Sequence, residues 1–510
     1  MNYVKHNLAD TIVALATPPG VGAIGVIRLS GTDALTIANK VFFGKNLEKQ
    51  KTHTIHFGTI RDVPPSPQGG DVEMFRENEI TTPPLGAGGK NAVVLDEVLA
   101  SLFIAPKSYT KENVVEFSCH GSPYIQQQII QLLIKHGARM AQAGEFTLRA
   151  FMNGQLDLSQ AEAVADLIAS SSASSHRLAM QQMRGGFSNE IKILRGQLIN
   201  FASLIELELD FGEEDVEFAN RTELRDLVVG IQRLIKKLLD SFALGNVLKN
   251  GVSTVIAGRP NAGKSTLLNA LLNEDRAIVS EIAGTTRDTI EEILNIEGIQ
   301  FRLIDTAGIR EATDTIEAIG VKKTMEKVRD AALLVYLFDV AETSLEEVHA
   351  DLLELAPTGL SLLVVCNKMD KLPNFDPAWL LNPSDKDIPY YFKAPPSVKN
   401  AVGLKREQII TISAKNGQNI DWLKENLLRS VIEGGLNLES TIVSNARHFE
   451  ALQKSYASLD DVLHSMANGI TTDFVAMDIR RSLHYLGEIT GDVGVDDLLE
   501  NIFSKFCIGK

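Results

Sequence analysis

A chain of 510 residues is too long for one hydrophobic core and, at about 150 residues per domain, calls for roughly three. With 44% hydrophobic and 23% charged residues it has apolar material for several cores, while a net charge of −15 excludes a chain that coats nucleic acid nonspecifically, since phosphate contact needs clustered Lys and Arg. Its cysteines, Cys119, Cys366 and Cys507, have neither CxxC nor Cys/His ligand spacing, which argues against a zinc site or disulfide framework and suits a reducing cytoplasm.

The first residues, MNYVKHNLADTIVALATPPG, lack a basic segment followed by a long apolar one, and no stretch offers about 18 uninterrupted apolar residues, so neither export nor a membrane span is expected. The β-branched runs 11–17 and 23–31 predict strands, as do 93–105 and 114–121. Between them, 63–89 is rich in Pro and Gly and reads as a surface loop. From about Gln155 Leu, Ala and Ile recur at helical spacing through 224–243, and the same texture returns in 447–466 and 474–490. The acidic segment 206–217 reads as a solvated loop. The simplest arrangement is one helical domain interrupted by an α/β insert, with limits at 1–153, 154–250, 251–432 and 433–510.

The insert carries the chemistry. A short apolar run, 252–257, leads into Gly258-Arg-Pro-Asn-Ala-Gly263-Lys264-Ser265 and then the helical TLLNALL, the strand, loop and helix that a P-loop requires. Glycines let backbone N–H groups of Asn261, Ala262, Gly263, Lys264, Ser265 and Thr266 wrap phosphates at a helix start; the Lys264 cation offsets phosphate charge and the Ser265 hydroxyl suits Mg2+. Gly284-Thr285-Thr286 offers Thr286 as a second Mg2+ hydroxyl. The run 301–308 ends in Asp305-Thr306-Ala307-Gly308, suited to an outer-shell Mg2+ contact and a γ-phosphate amide. Asn367, Lys368 and Asp370 end another strand, where a carboxylate can accept from both guanine N1–H and the exocyclic amine, and Ser413, Ala414 and Lys415 come next to the base. That order and spacing define a GTPase. Ile309 stands where Ras-like proteins place a water-orienting glutamine, so hydrolysis must use another device.

These motifs, with 305–320, the opening T-I-V-A-x-A-T-P-P-G, G-E-F-T-x-R-A-F-x-N-G at 144–154 and the terminal F-C-I-G-K, resemble the MnmE or TrmE family of tRNA modification GTPases over nearly the whole chain. The resemblance implies an N-terminal α+β tetrahydrofolate-binding-like domain that dimerises, an all-α helical domain, and a Ras-like P-loop G domain inserted into it. It further implies a flavoprotein partner, MnmG, in a heterotetramer, and installation of an aminomethyl or carboxymethylaminomethyl group on carbon 5 of the tRNA wobble uridine. The one-carbon unit would come from a 5-formyl- or methylene-tetrahydrofolate. By the same resemblance Asn261, Ser280, Ile282 and Thr285 would hold K+, and Glu317 would position the attacking water. Arg28, Glu116 and Lys510 match folate-contacting positions, whereas Gln155 stands where a Lys or Arg is usual, which implies weaker attraction to an anionic folate tail. Cys507 is either a nucleophile or acid toward a carbon-5 adduct or a packing residue; Cys119 reads as packing, and His120 as either a family histidine or a buried, hydrogen-bonded strand end.

Two other functions fit parts of the chain. A regulatory, Era-like ribosome-assembly GTPase without modification activity would carry an RNA-binding module after its G domain, and a free-standing folate aminomethyltransferase would leave the G domain unexplained.

Overall fold

The structure, a computed structural model, describes residues 10–63, 93–210, 221–273, 291–305, 331–355, 360–382, 403–431, 441–493, 502, 503, 506 and 509. The Pro/Gly-rich stretch expected as a loop lies outside these residues from position 64 onward. Residues 1–165, 182–224 and 458–510 form one compact unit, and 166–181 with 225–457 form another.

In the first unit β1 (Ile12–Leu15), β2 (Ile24–Ser30), β3 (Phe42–Phe43), β4 (Thr54–Asp62), β5 (Val93–Phe103), β6 (Val114–His120) and β7 (Arg139–Met140) make one sheet. Its order is β3-β4-β5-β6-β2-β1-β7, antiparallel except where β7 joins β1. Burial alternates along β4, with His56, Gly58 and Ile60 inward and Ile55 and Phe57 outward, the period-2 signature of a half-covered sheet. The covering helices Ala34–Val41 and Pro123–Lys135 supply Ile37, Val41, Ile129 and Leu133 to a core shared with Ile27, Leu102 and Phe117.

An arginine is buried at the sheet's edge: Arg149, only 1% exposed, reaches Asp10 at 2.6 Å, Glu145 at 3.1 Å and Glu112 at 3.2 Å. Burial works to raise the Asp10 and Glu145 carboxyls, but hydrogen bonds from Arg139, joined at Asp10 by Arg149, outweigh it and hold both below the usual carboxylate range. The cluster therefore stabilises the fold above that range and its contribution is lost as pH falls through the lowered values.

The helices before and after the α/β insert do meet. Helix Gly186–Asp210 packs on helix Thr472–Thr490, and Glu206 pairs with Arg480 at 2.6 Å. The expected acidic loop is thus helical from 206 to 210; the buried Ile205 and the Arg480 pair hold this last stretch against its partner helix. The rest of that segment lies outside the described residues.

The second unit contains β8 (Val252–Ala257), β9 (Glu291–Ile296), β10 (Ile299–Asp305), β11 (Leu333–Asp339), β12 (Ser361–Asn367) and β13 (Ile409–Thr411) in the order β13-β12-β11-β8-β10-β9. All pair in parallel except β9, which runs antiparallel to β10. Every residue of β11 is buried, as expected of a parallel strand covered on both faces. The segments leading into and out of this sheet are pinned together. Phe242 stacks on Phe449 with ring centroids 4.3 Å apart, the Val443 amide donates to Ser241 Oγ at 3.0 Å, and a Cβ on Gly245 would lie 2.0 Å from the Val443 carbonyl oxygen.

Candidate nucleotide site

Three loops at the carboxyl ends of β8, β12 and β13 form the site, the usual ligand position for an open parallel sheet. The loop after β8 needs its glycines. A Cβ on Gly258 would stand 2.0 Å from the Leu337 carbonyl oxygen of the neighbouring strand, and one on Gly263 would stand 2.4 Å from Asn367 Nδ2. Between them Asn261 takes a left-handed φ of 60° and stands exposed. The loop then delivers Lys264, Ser265 and Thr266 as the first turn of helix Lys264–Asn273, where the backbone N–H groups of a helix start and the helix dipole favour an anion. Lys264 Nζ donates to the Gly258 carbonyl at 2.7 Å and the Arg259 carbonyl at 3.0 Å, so the cation curls over the loop, while Ser265 and Thr266 are exposed.

Asn367 ties the loops to one another. It is 2% exposed; its Nδ2 donates to the Ala262 carbonyl at 2.8 Å, and its Oδ1 accepts from the Ala414 amide at 3.0 Å. Lys368, at a left-handed φ of 65°, donates to Asp339 Oδ2 at 2.6 Å. Asp370 is exposed, and its Oδ1 accepts from the buried Ser413 hydroxyl at 2.6 Å; that bond, foremost, holds the carboxyl below its ordinary range. Ala414 is buried and Lys415 exposed beside it. Asp305 closes β10 opposite Ile256, which places its backbone next to the P-loop strand end. Ser280, Ile282, Thr285, Thr286, Thr306, Ala307, Gly308, Ile309 and Glu317 lie outside the described residues.

The motif reading missed a tether on the second P-loop residue. Arg259 forks onto Asp351 at 2.9 and 3.0 Å and also pairs with Glu347, while the Tyr336 hydroxyl donates to Asp351 at 2.7 Å. Glu347 in turn accepts from the Ser344 amide at 2.9 Å at the start of helix Leu345–Leu355. Asp351→Asn removes the charge from a bidentate pair, so nucleotide dissociation should quicken by about three- to tenfold, read by stopped-flow displacement of a fluorescent GDP. Unchanged rates would show that the tether does not govern the loop.

A second set of residues gathers in the first unit. Arg28 Nε donates to Glu116 Oε1 at 2.7 Å, its Nη1 donates to the Gly509 carbonyl at 3.3 Å, and its guanidinium lies over the Tyr109 and Phe146 rings at 5.8 and 5.6 Å. Tyr109, Phe146 and Gly509 were not singled out from the sequence; rings and a glycine carry no periodic signal of a shared site. Gln155 is exposed, its backbone N–H donating to the Ala150 carbonyl at 2.8 Å, with Lys111 Nζ on the adjacent Gly154 carbonyl at 2.7 Å. Cys507 and Lys510 lie outside the described residues. Cys119 is packed, 3% exposed, with its thiol pushed up to about 11 by burial. The buried alternative for His120 fails: its side chain is 67% exposed, at a strand end, and its Nδ1 lies 2.7 Å from Asp96 Oδ1.

A glycine-bounded loop between strand and helix, tied by Asn367 to the Ala414 loop whose Ser413 holds the exposed Asp370, defines a P-loop protein of the GTPase class. Family models for the MnmE helical domain and for the GTP-binding protein TrmE N-terminus match residues 158–507 and 11–155. The chain is 54% identical to the tRNA modification GTPase MnmE of Cytophaga hutchinsonii, covering 99% of this chain and 98% of that one. It is 46% identical to that of Bacteroides fragilis over 98% and 99% of the two chains. Among solved structures, an Aquifex aeolicus Era bound to GDP.AlF4- is 26% identical over 41% of this chain and 66% of that one, at a TM-score of 0.26. The chain belongs to the MnmE family.

Proposed function

We propose that this member of the MnmE family hydrolyses GTP in the course of tRNA modification and, with the flavoprotein MnmG in a heterotetramer, modifies carbon 5 of the wobble uridine using a tetrahydrofolate one-carbon unit. The observation that most supports the second part is the convergence of Arg28, Glu116, two aromatic rings and Gly509, which gathers a cation, a carboxylate and two ring faces far in sequence from the P-loop. Arg28 and Glu116, with Gln155 and Lys510, would bind the folate, and Cys507 would serve beside them. We assign 1–153 to folate binding and dimerisation, 154–250 and 433–510 to the helical domain, and 251–432 to the G domain. Nucleoside analysis of tRNA with and without this protein and the flavoprotein tests the reading. A wobble uridine modified equally in both would leave a regulatory GTPase.

For the nucleotide, Lys264 and the loop amides would bind phosphates, Asp305 and Gly308 the γ-phosphate side, and Asp370 with Lys368, Ser413 and Lys415 the base. The residues present fit hard cations: Ser265 brings an exposed hydroxyl to the helix start, and Asn261 an exposed amide oxygen to the loop crest. Ser265 and Thr286 would hold Mg2+, and Asn261, Ser280, Ile282 and Thr285 would hold K+; these ions supply positive charge against the phosphates. Hydrolysis should then run faster in potassium than in sodium at equal ionic strength, and Asn261→Ala should abolish the difference. Equal rates in both salts for the unaltered chain at high protein concentration would end the potassium assignment. Glu317→Ala should leave GTP binding intact and slow hydrolysis by about tenfold or more, because a water-positioning carboxylate acts in the transition state. Lost binding would make Glu317 structural.

A further inference from the structure

Outside both sites, a cavity of about 400 Å3 is lined by helix Arg221–Asp240 and helix Ala446–Ala467 within the second unit. Gln232, Arg233, Lys236, Lys237 and Asp240 come from the first helix, at spacings that put them on one side of it, and Tyr456 from the second. Arg233, Lys236 and Lys237 are exposed. A single carboxylate opposes them, Asp240, and it is engaged by Lys236 at 2.9 Å. Gln232 is 8% exposed, and its Nε2 is buried with no hydrogen-bond partner among the described residues. A buried amide donor without an acceptor is uncommon, and here it sits among three cations. The lining thus sets three cations and a buried donor around a mostly apolar floor that includes Val229, with a half-buried phenol ring at its side, in a chain whose net charge is −15. Its complement is an extended anion that presents several oxygens and has planar groups to lay against a ring.

We propose that this groove docks the phosphate backbone of the RNA substrate, away from the modification and nucleotide sites. The inference rests on the reading of the chain as a tRNA-modifying protein. Arginine and lysine contacts to phosphate release counterions, so they set both affinity and its salt dependence, and an aromatic face beside the track accepts a base irrespective of its identity. An acidic protein segment would satisfy the cations but has no use for the ring.

The test is tRNA binding by the full chain, by filter retention over a series of KCl concentrations, for the unaltered protein and for the variant Arg233→Gln, Lys236→Gln, Lys237→Gln. The variant should bind about tenfold more weakly at low salt, with the slope of log affinity against log salt reduced by about two. The charge-conserving variant Arg233→Lys, Lys236→Arg, Lys237→Arg should keep the slope. GTP hydrolysis within about twofold of normal in all of them reports an intact fold. Unchanged affinity and slope in the neutralised variant would overturn the proposal and leave the modification reading standing. Loss of flavoprotein binding with tRNA affinity intact would also overturn it and assign the groove to an acidic protein. No salt-sensitive tRNA binding by the unaltered chain would overturn both readings together.

Discussion

Asp370→Asn lowers the affinity for GTP by at least about tenfold, while the affinity for a nucleotide with a carbonyl at carbon 2 of the base, xanthosine triphosphate, rises. The carboxylate can accept from both guanine donors at once, and the Ser413 hydroxyl, donating to Oδ1 at 2.6 Å, takes only one lone pair of that oxygen and orients the group. An amide in its place offers one acceptor and one donor, so one guanine N–H faces a donor and goes unmet, the arrangement that discriminates most strongly. Xanthine reverses that mismatch by presenting an acceptor at the same position. Ser413→Ala should weaken GTP less, since it loosens the carboxylate without removing it. Titration with fluorescent nucleotide analogues checks all of these. Unaltered GTP affinity in Asp370→Asn, or equal binding of ATP and GTP by the unaltered chain, would remove Asp370 from base recognition.

The phosphate loop and the strand-end motifs were legible because each is a local pattern. A buried strand followed by glycines and a Lys-Ser pair has one common structural context, and β8 begins and ends where the apolar run 252–257 does. Roles carried by contacts between segments were not legible in the same way. Asn367 was expected at the base, but nothing local announced that its amide also joins Ala262 to Ala414, across more than a hundred residues of sequence in one direction. Asp351 and Glu347 look like ordinary charges on an amphipathic helix until Arg259 is seen to lie against them. The stretch 206–210 misled because its charge suggested a loop, yet Arg480, far along the chain, supplies the opposite charge that lets it stay helical. His120 failed for a similar reason. Its strand pattern favoured burial, and the end of β6, opposite the exposed Ile24, leaves the ring in solvent with Asp96 beneath it.

The C-terminus shows how much a short tail can depend on distant partners, and Gly509→Ala should abolish tRNA modification while GTP hydrolysis stays within a few-fold of normal. Phe503 and Phe506 insert into a cluster with Leu148, Leu158 and Ala161, their rings 5.4 Å apart, so the segment leading to the tail is packed into the first unit. Gly509 follows with φ 105°, a conformation that other residues rarely adopt, and its carbonyl accepts from Arg28. A Cβ at this position would lie 2.1 Å from the Leu15 carbonyl oxygen, a backbone atom in a strand end that cannot move aside as a side chain would. Alanine therefore displaces Gly509 and takes a hydrogen-bond partner from Arg28. The P-loop is served by other elements, with Asn367 and Asp351 holding it from β12 and from helix Leu345–Leu355, so phosphate chemistry has no reason to fail. Removing residues 507–510 should reproduce the loss. Cys507→Ser then divides the remaining question: failure with the tail still docked makes the sulfur chemical, and full activity makes it packing. The measurement is modified nucleoside in tRNA from cells that carry each variant, alongside steady-state GTP hydrolysis of the purified proteins. Normal modification from the truncated chain would remove the terminus from the modification centre, and a parallel collapse of GTP hydrolysis would mean that the tail supports the whole fold.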